Sequence, residues 1–83
     1  MLPTEPFAKE VARILDETGM TQTEAAYAIR GSPSEISLIV NGRTRGFSAE
    51  KLVRVLICLG RDVDIVLRKS KQSTGKVRVV ASQ

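Results

Sequence analysis

The sequence of 83 residues has no histidine, no tryptophan and a single cysteine. One cysteine excludes a disulfide within the chain, and without histidine there is no plausible zinc site. The missing histidine also removes the usual general base, and neither paired carboxylates nor a glycine-rich phosphate loop takes its place. We therefore expect no enzymatic activity and no metal or cofactor.

Long hydrophobic runs and aromatic residues are also scarce. The longest apolar run, VLICLG, is far too short to span a bilayer. The first ten residues, MLPTEPFAKE, lack the basic and then apolar pattern of a signal peptide. Apolar residues make up 42% of the sequence and charged residues 27%, the balance of one small soluble domain. These features predict a cytoplasmic protein without a membrane partner.

Charge is distributed unevenly along the chain. Residues 1–29 contain two basic and five acidic side chains, a net charge of −3. Residues 30–83 contain eleven basic and four acidic side chains, a net charge of +7. This asymmetry favours a polyanionic partner on one side of the molecule, although many basic surfaces bind nothing specific.

Start and stop signals predict four helices. A hydroxyl residue precedes each stretch of helical apolar spacing, and a glycine lies at or just after each end. The four helices are expected between Thr4 and Gly19, between Thr21 and Arg30, between Ser32 and Gly42, and between Ser48 and Gly60. The fourth is apolar almost all round, which indicates a helix wrapped by its own fold or shared with a second subunit.

The third predicted helix has an unusual outer face. Ser32 and Glu35 form a capping-box pattern, and Pro33 suits the first helical position. One stripe at helical spacing is apolar and faces a core, whereas the opposite stripe is short and uncharged. The inner stripe is Ile36, Ile39 and Val40, and the outer stripe is Ser34, Ser37, Leu38 and Asn41.

After the fourth helix, the spacing of the apolar residues changes from the helical period to alternation. In DVDIVLR, Val63, Ile65 and Leu67 alternate with Asp64, Val66 and Arg68, which predicts a β-strand. A lone strand leaves its backbone unpaired, so it needs a partner. Either residues 76–82 fold back on it as a hairpin, or the same strand of a second molecule pairs with it, which we favour. We therefore divide the chain into a helical domain, 1–60, and a strand with a basic tail, 61–83, for dimerisation or partner contact.

Two short helices joined by a tight turn, the second with short side chains on its outer face, form the pattern of a helix-turn-helix. A helix that enters the DNA major groove, about 12 Å wide, needs short side chains to approach the bases. Serines suit base edges and phosphates, Leu38 suits a thymine methyl, and arginines beyond the helix suit the DNA backbone. The predicted DNA-binding residues are Gln22, Ser32, Pro33, Ser34, Ser37, Leu38, Asn41, Arg43 and Arg45.

The segment from Met20 to Gly60 resembles the Cro/C1-type (XRE) helix-turn-helix family. The matching residues are Thr21, Gln22, Ala26, Asn41, Gly42, Ser48 and Leu52. The resemblance implies a mainly α fold, a lambda-repressor-like bundle of four to five helices, here followed by a C-terminal β-strand. The ending LGRDVDIVLR is also similar to HigA-type antitoxins. That similarity implies a homodimer that binds a palindromic double-stranded operator, represses its own operon and holds a RelE-like toxin.

The sequence departs from the family pattern at the turn and at the start of the third helix. Arg30 occupies the position of the usual turn glycine, and Gly31 is displaced by one place. Pro33 stands where many members carry Gln or Arg, so the face lacks a long bidentate base reader. Two alternatives follow: either sequence specificity is modest, or it depends on DNA shape and the flanking arginines. We interpret Glu35 as a structural cap rather than a cytosine reader, and Cys58 as a buried apolar residue.

Two functions from different classes follow from these patterns. The first is a sequence-specific repressor that inserts residues 32–41 into the major groove. The second is an antitoxin-type interaction module whose main task is to neutralise a RelE-like toxin. The apolar fourth helix and the aliphatic strand motivate the second, because they offer more apolar surface than one small core needs.

Overall fold

A computed structural model describes residues 3–70 and, beyond them, residues 75, 77, 79 and 80. In these residues the chain forms four α-helices: α1 (Glu5–Thr18), α2 (Gln22–Ile29), α3 (Pro33–Val40) and α4 (Ala49–Cys58). The four predicted helices are confirmed, and no fifth is present in the described part. No helix in this part is both long and apolar enough to cross a membrane.

Hydroxyl side chains cap three of the four helices. Thr21, Ser32 and Ser48 each accept a hydrogen bond from the backbone N–H three residues later. The expected cap at Thr4 makes no such bond. Its hydroxyl instead lies 2.9 Å from the hydroxyl of Thr44, in the loop before α4. Three N-terminal ends are therefore fixed locally, and the fourth is tied to a distant loop.

Aliphatic side chains from all four helices form the core in two adjoining clusters. The larger cluster joins α1, α3 and α4 and consists of Phe7, Ala8, Val11, Ile14, Ile39, Leu52, Val55 and Leu56. The smaller cluster joins α2 to α3 and consists of Ala25, Ala26 and Ile36. Because alanines face Ile36, the two helices approach each other closely, and the inner stripe of α3 packs against the bundle.

The predicted C-terminal strand is not formed in the described residues. Residues 61–70 are neither helix nor strand, and Ile65, Val66 and Leu67 are exposed. A strand exists only as part of a hydrogen-bonded ladder, and the described residues of one chain supply no second strand. Much of the alternative hairpin partner, residues 76, 78, 81 and 82, lies outside the described residues.

The outer side of α4 is left uncovered by the residues that the structure describes. Leu52, Val55 and Leu56 are buried, whereas Ile57 is 55% exposed. Cys58 is exposed as well, so the expectation of a buried cysteine is wrong. The core thus requires only one face of α4, with Val53 partly buried at its edge, and Ile57 and Cys58 lie on the exposed side.

Candidate nucleic-acid interface

The unit that matters for recognition is α2, a three-residue turn and α3. At the start of α2, Thr21 and Glu24 form a complete capping box, with both hydrogen bonds 3.0 Å long. The hydrogen bond from the Thr21 backbone N–H, helped by the Thr21 side chain, lowers the pKa of the Glu24 carboxyl. The N-terminus of α2 is therefore rigid, and its first residue, Gln22, projects from a fixed position.

The turn between the helices has an arginine in a left-handed conformation. Arg30 has φ 57° and ψ 38°, and its backbone N–H donates to the carbonyl of Tyr27. The N–H of Gly31 donates to the carbonyl of Ala26 over 2.9 Å. These two bonds make a Schellman motif, which usually places glycine where Arg30 stands. The turn is thus closed tightly enough to bring the start of α3 beside α2.

The outer face of α3 and the start of α2 enclose a shallow open groove. The groove has a volume of about 430 Å³ and is lined by Gln22, Pro33, Ser34, Ser37 and Leu38. All five lining residues belong to the predicted DNA-binding set. None is charged, and Leu38 remains 41% exposed because Ile36 and Ile39 occupy the core instead. The structure therefore places the outer stripe of α3 at the surface rather than beneath other parts of the fold.

Ser32 and Glu35 act in the architecture of α3. The Ser32 hydroxyl accepts the Glu35 backbone N–H at 3.2 Å. The Glu35 carboxylate does not complete the predicted capping box. Its Oε1 atom is inaccessible to solvent, makes no hydrogen bond, and lies 3.4 Å from Nζ of Lys51 on α4. Glu35 is thus withdrawn from the outer face, in agreement with a structural role.

Asn41 is folded back on its own helix. Its Nδ2 donates to the backbone carbonyl of Ser37 at 2.8 Å and lies 3.5 Å from the Ser37 hydroxyl. Asn41 therefore satisfies one of the carbonyls left open at the end of α3. The amide donor that we expected at a base or sugar-phosphate is occupied by this bond, whereas the amide oxygen remains available.

Arg43 and Arg45 lie in the exposed loop after α3. The Arg43 backbone N–H donates to the carbonyl of Leu38 at 2.8 Å, which fixes the exit of the helix. Residues 44–47 form a β-turn closed by a 2.9 Å bond from the Phe47 N–H to the Thr44 carbonyl. Arg45 occupies the tip of this turn, and the Thr44 hydroxyl ties the loop to the start of α1. Both arginines are therefore held by an ordered loop.

Ion pairs divide the basic side chains into two groups. Among the described residues, the cations on α1 and α4 and Arg61 each lie within 4 Å of a carboxylate. The cations without such a partner in this part are Arg30, Arg43, Arg45, Arg68 and Lys69. Three of these five lie just before or just after α3 in the chain, so the loops at both ends of this helix carry positive charge that no described carboxylate pairs with.

Comparison with known families identifies the fold of this unit. The model of the helix-turn-helix domain family matches residues 5–68, more than half of the chain. The chain belongs to the helix-turn-helix domain family. No curated protein matches the sequence.

A solved structure assigned by its name to the XRE family of transcriptional regulators resembles this helix-turn-helix protein over most of its length. The two chains are 28% identical and superpose with a TM-score of 0.79, covering 94% of this chain and 88% of the other. Coverage of that extent includes most of the residues after Gly60. The similarity confirms the expected helix-turn-helix fold, whereas the resemblance to HigA-type antitoxins is not confirmed.

The nine predicted residues of this helix-turn-helix protein separate into three places. Five line the groove, Arg43 and Arg45 occupy the following loop, and Ser32 and Asn41 stabilise the two ends of α3. The sequence did not predict two contacts that position these residues: the hydrogen bond between Thr4 and Thr44, and the ion pair of Lys51 with Glu35. These contacts join distant parts of the chain, so no local pattern reveals them. Among the described residues there is no cluster of side chains able to hold a metal ion.

Proposed function

We propose that this protein is a sequence-specific DNA-binding transcriptional regulator, a repressor that places α3 in the major groove of double-stranded DNA. The observation that carries the proposal is the uncharged groove between α2 and α3, together with arginines before and after α3 that have no carboxylate partner among the described residues. Short side chains permit close approach to the bases, and cations at the edges attract the phosphates. The name of the solved neighbour, an XRE-family transcriptional regulator, supports this role.

The phosphate contacts are assigned to both sides of the groove. Gln22 and the first N–H groups of α2 are placed for one DNA strand, because a helix N-terminus favours anions. Arg43 and Arg45, beyond the other end of α3, are assigned to phosphates on the opposite side of the DNA major groove. The chain thus contacts DNA backbone on either side of the helix that reads the bases.

A salt titration of DNA affinity tests this assignment. Replacing Arg43 and Arg45 together with Ala weakens binding to every duplex and lowers the salt slope by about one unit per lost phosphate contact. The matched control replaces Lys9 and Arg54, which removes the same charge from exposed ion pairs on α1 and α4. Equal effects of the two double variants would show that only net charge matters and would refute the assigned interface.

We also propose that the protein acts as a homodimer in the cytoplasm, on a palindromic operator. Support comes from the exposed apolar segment after α4, in which Ile65 is 74% and Leu67 93% exposed. Antiparallel pairing of two copies centred on Ile65 sets Val63 opposite Leu67 and Asp62 opposite Arg68. This register joins apolar residues on one face, and on the other it sets an opposite-charge pair beside Asp64 opposite Val66. Sedimentation of the free protein at twice the chain mass is the expected result, and a monomer contradicts the proposal.

A second function is favoured by the same exposed segment. An antitoxin-type module would use Ile65, Val66 and Leu67 to hold a RelE-like toxin, and the repressor would then regulate its own toxin-antitoxin operon. Co-expression with the product of the adjacent gene tests this role. Co-purification that is lost when Leu67 is replaced by Asp supports it, and the absence of any co-purifying product leaves the repressor alone.

A further inference from the structure

The chemistry of the α3 face leaves few ways to read a base. Glu35 is ion-paired with Lys51 and closed to solvent at Oε1. The Asn41 amide donates to the backbone of its own helix. Ser32 accepts a hydrogen bond at the N-cap. Each of these three side chains thus uses a polar group to hold the helix, although the Asn41 amide oxygen remains available. Long charged readers of guanine and cytosine are missing from the outer face.

Beside its polar side chains, the face offers an apolar surface. Pro33 and Leu38 line the groove together with two serines and Gln22. Leu38 is 41% exposed although it is a large aliphatic residue, whereas Ile36 and Ile39 on the inner stripe of α3 are completely buried. The major groove presents one apolar group at a base edge, the C5-methyl of thymine. A leucine and a proline on a surface that approaches bases have no other apolar partner there in unmodified DNA.

We infer that Leu38, with Pro33 beside it, selects DNA sites by contact with thymine methyl groups. This inference rests on the proposed DNA-binding function and names the feature of DNA that the groove reads. Leu38 is the specificity-determining residue, and the arginines outside the groove supply affinity that does not depend on sequence. Loss of one buried methyl lowers affinity about fourfold, the factor expected from the transfer of a single methyl group out of water.

The test removes the methyl from the DNA rather than from the protein. A preferred duplex is first selected from a random pool with the full-length protein. Each thymine is then replaced in turn by deoxyuridine, which lacks only the C5-methyl, and the Kd is measured by fluorescence anisotropy. We expect one or two positions per half-site at which the wild-type protein loses about fourfold in affinity, and all other thymines to be neutral.

Two variants connect the effect to the residue. Leu38→Ala binds the thymine and deoxyuridine duplexes with equal affinity at the sensitive position, because the methyl has lost its partner. Ser34→Ala changes the same face but retains the fourfold difference. Replacing the sensitive T·A pair by C·G weakens wild-type binding, and 5-methylcytosine at that position restores part of it. Circular dichroism verifies that both variants keep their helical content.

The outcomes separate this inference from the function on which it rests. If no duplex is preferred over bulk DNA, the proposed function fails and the inference falls with it. If a duplex is selected but every deoxyuridine substitution is neutral, DNA binding stands and methyl recognition is refuted. A sensitive thymine whose effect persists in Leu38→Ala also refutes the inference, because another residue then contacts the methyl.

Discussion

Replacing Arg30 with Gly should make the protein more stable, although Arg30 lies inside the helix-turn-helix. The ends of α3 and α4 use the same Schellman motif as the end of α2, and both place glycine at the left-handed position. Gly42 has φ 74° and Gly60 has φ 91°, and each is bracketed by the same pair of backbone hydrogen bonds. Arg30 has φ 57° in this position and is the non-glycine residue with positive φ in the described part of the chain.

The magnitude follows from two opposing terms. A residue with a Cβ pays about 1–2 kcal/mol for the left-handed conformation. Glycine avoids this cost but loses about 0.5–1 kcal/mol of stability, because the unfolded chain gains conformational freedom. The Arg30 side chain is exposed and has no ion pair with a described carboxylate, so little else is lost. The net gain is about 0.5–1 kcal/mol, or roughly 2–8 °C in Tm for a domain of this size.

Thermal unfolding followed by circular dichroism measures this gain, and two further substitutions assign it to the backbone. Arg30→Ala removes the guanidinium but keeps the Cβ, so its stability should remain within about 0.5 kcal/mol of the parent. Arg30→Val adds a β-branch, which is least compatible with positive φ, and should destabilise. A glycine variant no more stable than the alanine variant would refute the strain argument.

Three other predictions concern the turn, the α2 cap and the tail. Gly31→Ala should cost about 1 kcal/mol in chemical denaturation, because the added Cβ would lie 2.8 Å from Glu35 Oε1 and disturb the pair with α4. Hydrogen bonds lower the pKa of the Glu24 carboxyl in the folded protein, so the ionised carboxylate stabilises the fold above the unfolded-state pKa. This stabilisation is lost as pH falls through the folded-state pKa. The Glu24→Gln variant should therefore lose less stability than the parent between neutral and acidic pH. In a chain whose native cysteine is replaced by serine, Ile65→Cys should form a disulfide-linked dimer under mild oxidation, whereas Val66→Cys, outside the symmetric position, should form much less.

The helices were predictable from sequence because their determinants are local. The caps Thr21, Ser32 and Ser48 and the exits at Gly42 and Gly60 act within a few residues, so spacing alone locates them. The two faces of α3 followed from the period of 3.6 residues in the same way. Local patterns thus determined both the helix-turn-helix and the surface that α3 presents.

Long-range contacts limited the prediction elsewhere. The pattern SPSE has the form of a capping box, but Lys51 on α4 attracts the Glu35 carboxylate away from the N-cap. Nothing near Thr4 indicates that its hydroxyl meets Thr44, 40 residues later. Alternation in DVDIVLR defines two faces for a strand but no partner, and the described residues of a single chain do not provide one. Cys58 is exposed because an apolar helix buries only the face that its neighbours reach.

The length of α3 makes the proposed dimer and the proposed base reading depend on each other. Eight helical residues extend about 12 Å, which covers between three and four base pairs at about 3.4 Å each. Even perfect reading of four base pairs selects roughly one sequence in 256, against about a million or more competing sites in a genome. A second α3 on the other half of a palindrome squares that factor to about one in 65,000, so a symmetric pair of helices narrows the choice of sites far more than one helix, and contacts outside α3 must supply the rest. If the protein selects an operator while it remains a monomer, bases outside the reach of Leu38 must be read by other residues, and α3 would not be the main source of specificity.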